Sequence, residues 1–290
     1  AGIDLSFPFI SQKEIHFHNY SELLNTQVTR ENTPKISYNY RGKVLQGNIP
    51  IFDTTDKYDK AITFAELTSG ERYTGLDRIS NANDMTLSFV SSYRELNAKK
   101  EDLDLFRFEI AQTYYADDEV VSNDDNTDFE KRRSYSDIVG GIGLSVNQFA
   151  FNSDLQFDPE INKFTNRTNT ISYKLNPKNF VSLSHIYDDS DNEGIYESKI
   201  KLYGAYPVDD SIHLFGALDK NISTGVTNKG TAGVTYDSCC WAMRLAYFKD
   251  NVSDYGIGFE LVLKGIGSTS TNLRKRLKTN IPYYEANLGE

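Results

Sequence analysis

Two cysteines, one tryptophan and no surplus of positive charge set the first limits on this 290-residue chain. The cysteines are neighbours, Cys239 and Cys240. Adjacent Cα atoms sit about 3.8 Å apart across a trans peptide, whereas a relaxed disulfide wants roughly 4.4–6.8 Å. The pair is therefore ill-suited to bond internally, and if the segment is a strand the two side chains point to opposite faces. No third cysteine is present. They are either two free buried thiols or are oxidised onto another piece of protein. A formal net charge of −10 argues against a nucleic-acid partner. No apolar run approaches the roughly 18 residues of a membrane helix, and helix periodicity is absent outside 270–279. Neither absence excludes the membrane, because barrel strands dilute their apolar face with polar luminal residues. Bases for catalysis are scarce: His16, His18, His185 and His213 are all there are. Ser184 beside His185 is no dyad, since adjacent strand residues face opposite ways. His16 and His18 have no Cys or acidic ligand at a zinc-like spacing. The chain lacks an interdomain linker and low-complexity tracts. Its start at Ala1, without initiator Met or secretory signal, predicts a processed product or a fragment.

What the chain has in abundance is period-two alternation. Trp241, Met243, Leu245 and Tyr247 alternate with Ala242, Arg244 and Ala246. Ile257, Phe259, Leu261 and Leu263 alternate with Gly258, Glu260 and Lys264. Phe149, Phe151, Leu155 and Phe157 do the same around Asn152, Asp154 and Gln156, as do Met85, Leu87 and Phe89, and Phe106, Phe108 and Ile110. Strands are predicted at 3–10, 36–44, 84–96, 103–116, 133–146, 148–158, 164–175, 179–188, 194–206, 210–219, 226–237, 239–249 and 254–264. Each is near the roughly 9–11 residues that a tilted strand needs to cross a bilayer. Short turns such as Asn176–Pro177–Lys178 alternate with longer polar loops, the pattern of outer-membrane barrels. The 19 Tyr and 17 Phe, many near strand ends, suit membrane interfaces. The expectation is an all-β, antiparallel transmembrane barrel.

Two acidic stretches, 117–131 and 188–193, read as solvated loops, with a Ca²⁺ site as the lesser alternative, because the spaced Asp ligands and Gly turn of an EF-hand are missing. The segment 49–83 is different. It carries Pro50, Phe52, Asp53, Phe64, Leu67, Arg72, Gly75, Asp77 and Arg78, and is too long and too patterned for a connector. Long ordered loops fold on themselves and carry function. The expectation is that it folds into a polar lumen, with charged pairs such as Asp77 and Arg78 pinning it there; the alternative is an ordinary surface loop whose charges fall there by chance.

Several motifs resemble the LptD family of lipopolysaccharide-assembly proteins. They are Pro50-x-Phe52-Asp53-Thr54, Arg72-Tyr73-x-Gly75-x-Asp77-Arg78-Ile79 with Ala82-Asn83, Gln112-Thr113-Tyr114-Tyr115, Arg133-Ser134-Tyr135-Ser136 and Leu175-Asn176-Pro177. Tyr236-Asp237-Ser238-Cys239-Cys240-Trp241-Ala242-Met243-Arg244 is the strongest. The ending Phe259–Gly267 followed by Asn280-Ile281-Pro282 is similar too. These run in family order from about residue 50 to the end. Asp84 departs from the Gln of many relatives.

The resemblance implies that residues 1–290 are the later half of a very large barrel, near the 26-strand end of the range. It implies a luminal loop at 49–83 and a C-terminal tail at 265–290. It implies that Cys239 and Cys240 pair with two separate N-terminal cysteines and tie a periplasmic jellyroll to the barrel. It implies lipopolysaccharide transport to the outer leaflet of the Gram-negative outer membrane, without enzymatic activity or cofactor. Exit would be sideways, between the first and last barrel strands. The last strand would be 254–264, with Tyr255, Ile257, Phe259, Leu261 and Leu263 facing membrane lipid and Gly256 and Gly258 facing inward and weakening it. Partners implied are the lipoprotein LptE as barrel plug, the remainder of LptD, and the barrel-assembly machinery, which would read Gly258-x-x-Leu261-x-Leu263. A passive porin, which gives no reason for the cysteine pair, is the alternative. An outer-membrane hydrolase and a soluble β-sandwich rank below it, on the histidine inventory and the length of the strand series.

Overall fold

The structure, a computed structural model, describes residues 2–14, 27–42, 62–70, 81–96, 102–117, 133–176, 178–189, 196–250, 254–269 and 271–281. Its elements in chain order begin with β1 (Gly2–Ser6), β2 (Phe9–Glu14), β3 (Gln27–Arg41), α1 (Phe64–Ser69), β4 (Ala82–Leu96), β5 (Asp102–Tyr115), β6 (Ile138–Val146) and β7 (Phe149–Asp158). They continue with β8 (Lys163–Asn176), β9 (Asn179–Asp188), β10 (Glu197–Pro207), β11 (Ile212–Asn221), β12 (Thr227–Asp237), β13 (Trp241–Asp250), β14 (Asp254–Leu263), β15 (Gly267–Ser268) and α2 (Thr271–Asn280). The strands form one fifteen-stranded sheet in sequence order, with β2 pairing beside β1 on the same partner, β3. The registered pairs are antiparallel. The all-β antiparallel expectation therefore holds, and most strand boundaries fall within three residues of those read from the alternation. Among the described residues the path has two ends, β1 and β15.

The chain divides into two compact units. The first comprises residues 1–145, 152–167 and 188–194. Three expectations need correction here. The strand read at 3–10 is two strands, β1 and β2, both laid along β3. The break falls at Phe7-Pro8, where the Phe7 amide donates to the Pro34 carbonyl at 3.1 Å. A strand residue's N–H and C=O point to the same edge, so Pro34, which has no N–H, faces the gap between β1 and β2. That is why a proline is tolerated inside a long strand. The strand read at 36–44 accordingly starts at Gln27, nine residues before the alternation becomes legible. The strand read at 133–146 begins only at Ile138. Residues 133–137 are drawn across the ends of neighbouring strands by their side chains: Arg133 Nη1 reaches Asp158 Oδ2 at 2.6 Å, and Asp137 Oδ2 accepts from Gln156 Nε2 at 2.8 Å and Thr165 Oγ1 at 3.2 Å.

The helix α1 was not expected. A capping box starts it, in which the Glu66 amide donates to Thr63 Oγ1 and the Thr63 amide donates to Glu66 Oε2 at 2.7 Å. Gly70, at φ 70°, ends it in the left-handed conformation. Leu67 is buried against Ala111 of β5 and Val139 of β6, with Ile62 and Phe64 packed beside them. The Ile62 amide donates to Gln156 Oε1 at 3.1 Å. The Gly70 carbonyl accepts from Asn39 Nδ2 at 3.0 Å and from Arg41. Part of the patterned segment thus lies on the small-residue face of β5 and β6.

The second unit comprises residues 146–151, 168–187 and 195–290. Its faces are the inverse of a soluble sheet. In β13, Trp241, Met243, Leu245 and Tyr247 are exposed, while Ala242, Arg244, Ala246 and Phe248 are buried. In β14, Tyr255, Ile257, Phe259 and Leu263 are exposed and Glu260 and Val262 are buried. A soluble antiparallel sheet packs its apolar face on a core and turns the polar one to water. Here the covered face is the one that mixes small, polar and charged residues, and α2 contributes to the cover. Leu273, Leu277 and Ile281 form a buried cluster with Phe180, Ala205, Ala246 and Phe248.

Candidate functional site

The strand β14 runs in unbroken register with β13, from Asp250↔Asp254 to Trp241↔Leu263. Alternation puts Tyr255, Ile257, Phe259 and Leu263 on the exposed apolar face, as the sequence predicts, with Leu261 half-buried. Gly256 and Gly258 fall on the opposite face, but with different surroundings. A Cβ on Gly256 would meet nothing within 4 Å. One on Gly258 would lie 2.7 Å from Leu273 Cδ1 and 3.0 Å from Phe248 Cε2. The glycine at 258 thus has a packing reason: it is the socket for Leu273 of α2.

On its second edge β14 meets its own continuation. The chain turns at 264–266, with the Ile266 amide donating to the Leu263 carbonyl at 3.0 Å. β15 then pairs Gly267 with Leu263 and Ser268 with Val262. The Thr269 amide donates to the Leu261 carbonyl at 2.9 Å, and the Leu261 amide donates to Thr269 Oγ1 at 2.9 Å. The next element, α2, lies on the covered face. The helix presents Leu273, Leu277 and Ile281 at i, i+4, i+8 spacing. Arg276 sits over the Phe248 ring at 4.6 Å and pairs with Asp250. Asn280 Nδ2 donates to Thr231 Oγ1 at 3.2 Å.

The cysteines lie at the other end of β13, in the turn 238–240 and not in a strand. The strand read at 239–249 starts at Trp241, so strand alternation does not separate the two side chains. Both thiols are free and exposed, with their sulfurs 2.9 Å apart. The reading of two buried thiols is therefore corrected. The turn is fastened to the end of β14: Lys264 N donates to the Cys240 carbonyl at 3.0 Å, and Lys264 Nζ reaches the Ser238 carbonyl and Asp237 Oδ1, each at 2.6 Å. Hydrogen bonding from Cys240 and Ser238, with the Lys264 charge adding to it, holds the Cys239 thiol below its ordinary pKa. The Cys239 sulfur pushes that of Cys240 up.

The structure therefore brings together two groups of residues that the sequence suggested separately, the cysteine pair and the 254–263 strand. The third group, Pro50, Phe52, Asp53, Arg72, Gly75, Asp77 and Arg78, lies outside the described residues, as do His16 and His18. Phe64 and Leu67 of the same segment belong to α1. Sequence reading missed the ion pair Arg244–Glu260, directly opposite each other on β13 and β14 with 2.9 Å between Nη1 and Oε2. It also missed α1, for which Thr63-x-x-Glu66 was the available signal. His185 Nε2 bonds Ser198 Oγ and Ser184 Oγ bonds Thr170 Oγ1, each at 2.9 Å, so neighbours in sequence serve different partners. Among the described residues no group of three His, Cys, Asp or Glu is placed to hold a metal ion.

Residues 12–212 match the family model described as LptD, LPS transport system D. The LPS-assembly protein LptD of Shewanella frigidimarina is 25% identical over 279 residues, covering 88% of this chain and 35% of its own length. That of Azoarcus sp. (strain BH72) is 26% identical over 281 residues, covering 93% and 33%. That of Pseudoalteromonas translucida is 24% identical over 257 residues, covering 84% and 33%. The chain spans about a third of the length of these curated relatives.

Proposed function

The chain belongs to the LptD family, LPS transport system D, and on that premise we propose that it forms the later wall of a barrel that delivers lipopolysaccharide to the outer leaflet. It is an outer-membrane protein of Gram-negative bacteria, and its family is one of transporters, not enzymes. The observation that carries the proposal is the inverted sheet of the second unit. An exposed face of Trp241, Leu245, Ile257 and Phe259 suits lipid. A covered face of Arg244, Glu260 and Thr235 suits a polar interior. The last long strand, β14, pairs fully on one edge and only near its end on the other, as one lip of a lateral gate would.

Residues Tyr255–Leu263 form that lip. The acyl chains of lipopolysaccharide pass it on the lipid side while the sugars stay inside. The segment 49–83, with Pro50, Phe52, Asp53, Arg72, Gly75, Asp77 and Arg78, lines the lumen, and α1 is its seat on the barrel wall. Cys239 and Cys240 bond to cysteines in the remainder of LptD and hold the jellyroll to the barrel end. Because Lys264 fastens the cysteine turn to β14, that tether also fixes the gate lip. The polar face takes LptE as plug, and the barrel-assembly machinery reads the end of β14.

The test follows newly made lipopolysaccharide to the cell surface in a strain depleted of the full-length protein. Stalled delivery, restored by the native gene and not by an open porin of similar size, is the expected result. Delivery at the normal rate during depletion overturns the proposal.

A further inference from the structure

The tail does more than follow the last strand. In an antiparallel ladder the N–H and C=O of one residue point to the same edge, and alternate residues point to opposite edges. Leu261 spends both groups on Thr269, one on its amide and one on its hydroxyl. Leu263 spends its carbonyl on Ile266 and pairs with Gly267. By the same alternation Phe259 and Ile257 aim their backbone groups at this edge, above the point where β15 stops. The Thr269 hydroxyl takes the Leu261 amide that a continuing strand would offer to a carbonyl, so the ladder ends there. Leu273 of α2 seats over Gly258 on the covered face, with Phe248 beside it.

We propose that residues 264–281 are a strap that limits how far a strand can zip along β14. Among the described residues, no strand pairs with this edge at Ile257 and Phe259, whereas Leu261 and Leu263 are taken by the tail. The occupant of the open stretch is the first barrel strand of the full-length protein. The chain spans only about a third of its relatives' length, which leaves ample further sequence to supply it, and exposed edges demand a partner. The seam is thereby kept unzipped at the end where Lys264 joins the cysteine turn, so the gate parts from that end. This inference rests on the reading of β14 as a gate lip. The strap is held by two independent anchors, the Thr269–Leu261 bonds on the edge and the Leu273–Gly258 socket on the covered face.

The experiment uses the full-length protein in its membrane. A single cysteine at position 257, 259, 261 or 263 is combined with cysteines walked along the first barrel strand, and bonds are read by mass spectrometry after oxidation. Bonds are expected from 257 and 259 and none from 261 or 263. In the Thr269→Pro protein, which lacks the amide that binds Leu261, bonds from 261 should appear. Bonds from 261 or 263 as abundant as those from 259 with the native tail overturn the strap and leave the gate standing. A Thr269→Pro protein whose bonds still stop at 259 also overturns it. Bonds from none of the four positions overturn the gate reading itself, and the strap with it.

Discussion

Arg244 and Glu260 face each other across β13 and β14, 2.9 Å apart, and neither side chain is exposed at all. Removing two charges from water is costly, and a pair repays it only when the geometry is good and the pair is complete. Breaking such a pair is worse than replacing it, because the survivor is left buried and uncompensated. Arg244→Leu or Glu260→Leu alone should therefore cost about 3–5 kcal/mol, while the double replacement should recover most of the loss. Urea unfolding of the refolded full-length barrel measures this. Singles as stable as the native protein would contradict the account of the pair.

Gly258 supplies a second test. A methyl group there would collide with Leu273 Cδ1 at 2.7 Å and approach Phe248 Cε2 at 3.0 Å. Overpacking of this kind costs about 1–3 kcal/mol, and α2 is the cheaper element to move. Gly258→Ala should loosen α2 and speed tryptic cleavage at Arg274, Lys275 and Lys278. Adding Leu273→Ala should restore room at the socket and reduce the clash. Gly256→Ala, with nothing within 4 Å, should leave cleavage unchanged.

The faces of the sheet supply a third. Leu245 is exposed midway along β13. Leu245→Arg should cost roughly 2–4 kcal/mol if that face meets the bilayer midplane. Asp154→Asn, on the polar face of β7, should stay within about 0.5 kcal/mol, as surface changes usually do. Equal costs in a folding assay in lipid vesicles would mean the register of faces is wrong.

Much of this fold was legible because period-two alternation is a local signal that each strand repeats. Strands β9, β12 and β14 were readable almost to the residue, since turn residues such as Asn176-Pro177, Gly225 and Gly265 stand close to their ends. The pattern faded where tertiary partners decide. Gln27–Lys35 extends because β2 and β4 pair with it, although apart from Val28 and Pro34 its residues are polar. Residues 133–137 leave the sheet because Arg133 and Asp137 find carboxylate and amide partners on β7. Within the candidate site, the cysteine pair and the apolar members of β14 were visible in the sequence. Their fastening through Lys264 was not, because it joins residues 24 to 26 positions apart. The packing of Gly258 against Leu273 was not legible for the same reason: the two residues meet only through the fold.

The cysteine turn gives a prediction in pH. Bonds from Cys240 and Ser238, and then the Lys264 charge, lower the Cys239 pKa, while Cys239 raises that of Cys240. A depressed pKa means that the thiolate, the reactive form, is populated at lower pH. Alkylation of this chain with iodoacetamide should therefore modify Cys239 first, with a pH midpoint below that of an ordinary thiol and with Cys240 following at higher pH. Partial labelling read by mass spectrometry checks the order, and Lys264→Ala should move the Cys239 midpoint upward.

The central claim is that lipopolysaccharide leaves along β14. A photoreactive amino acid placed at Phe259 of the full-length protein, on the lip of the proposed gate, tests it in living cells. The account predicts a lipopolysaccharide adduct at 259 on illumination, lost when lipopolysaccharide supply is halted. It predicts none above background at Leu183, an equally outward position on β9. Equal adducts at both positions, or none at 259 while transport continues, would contradict it.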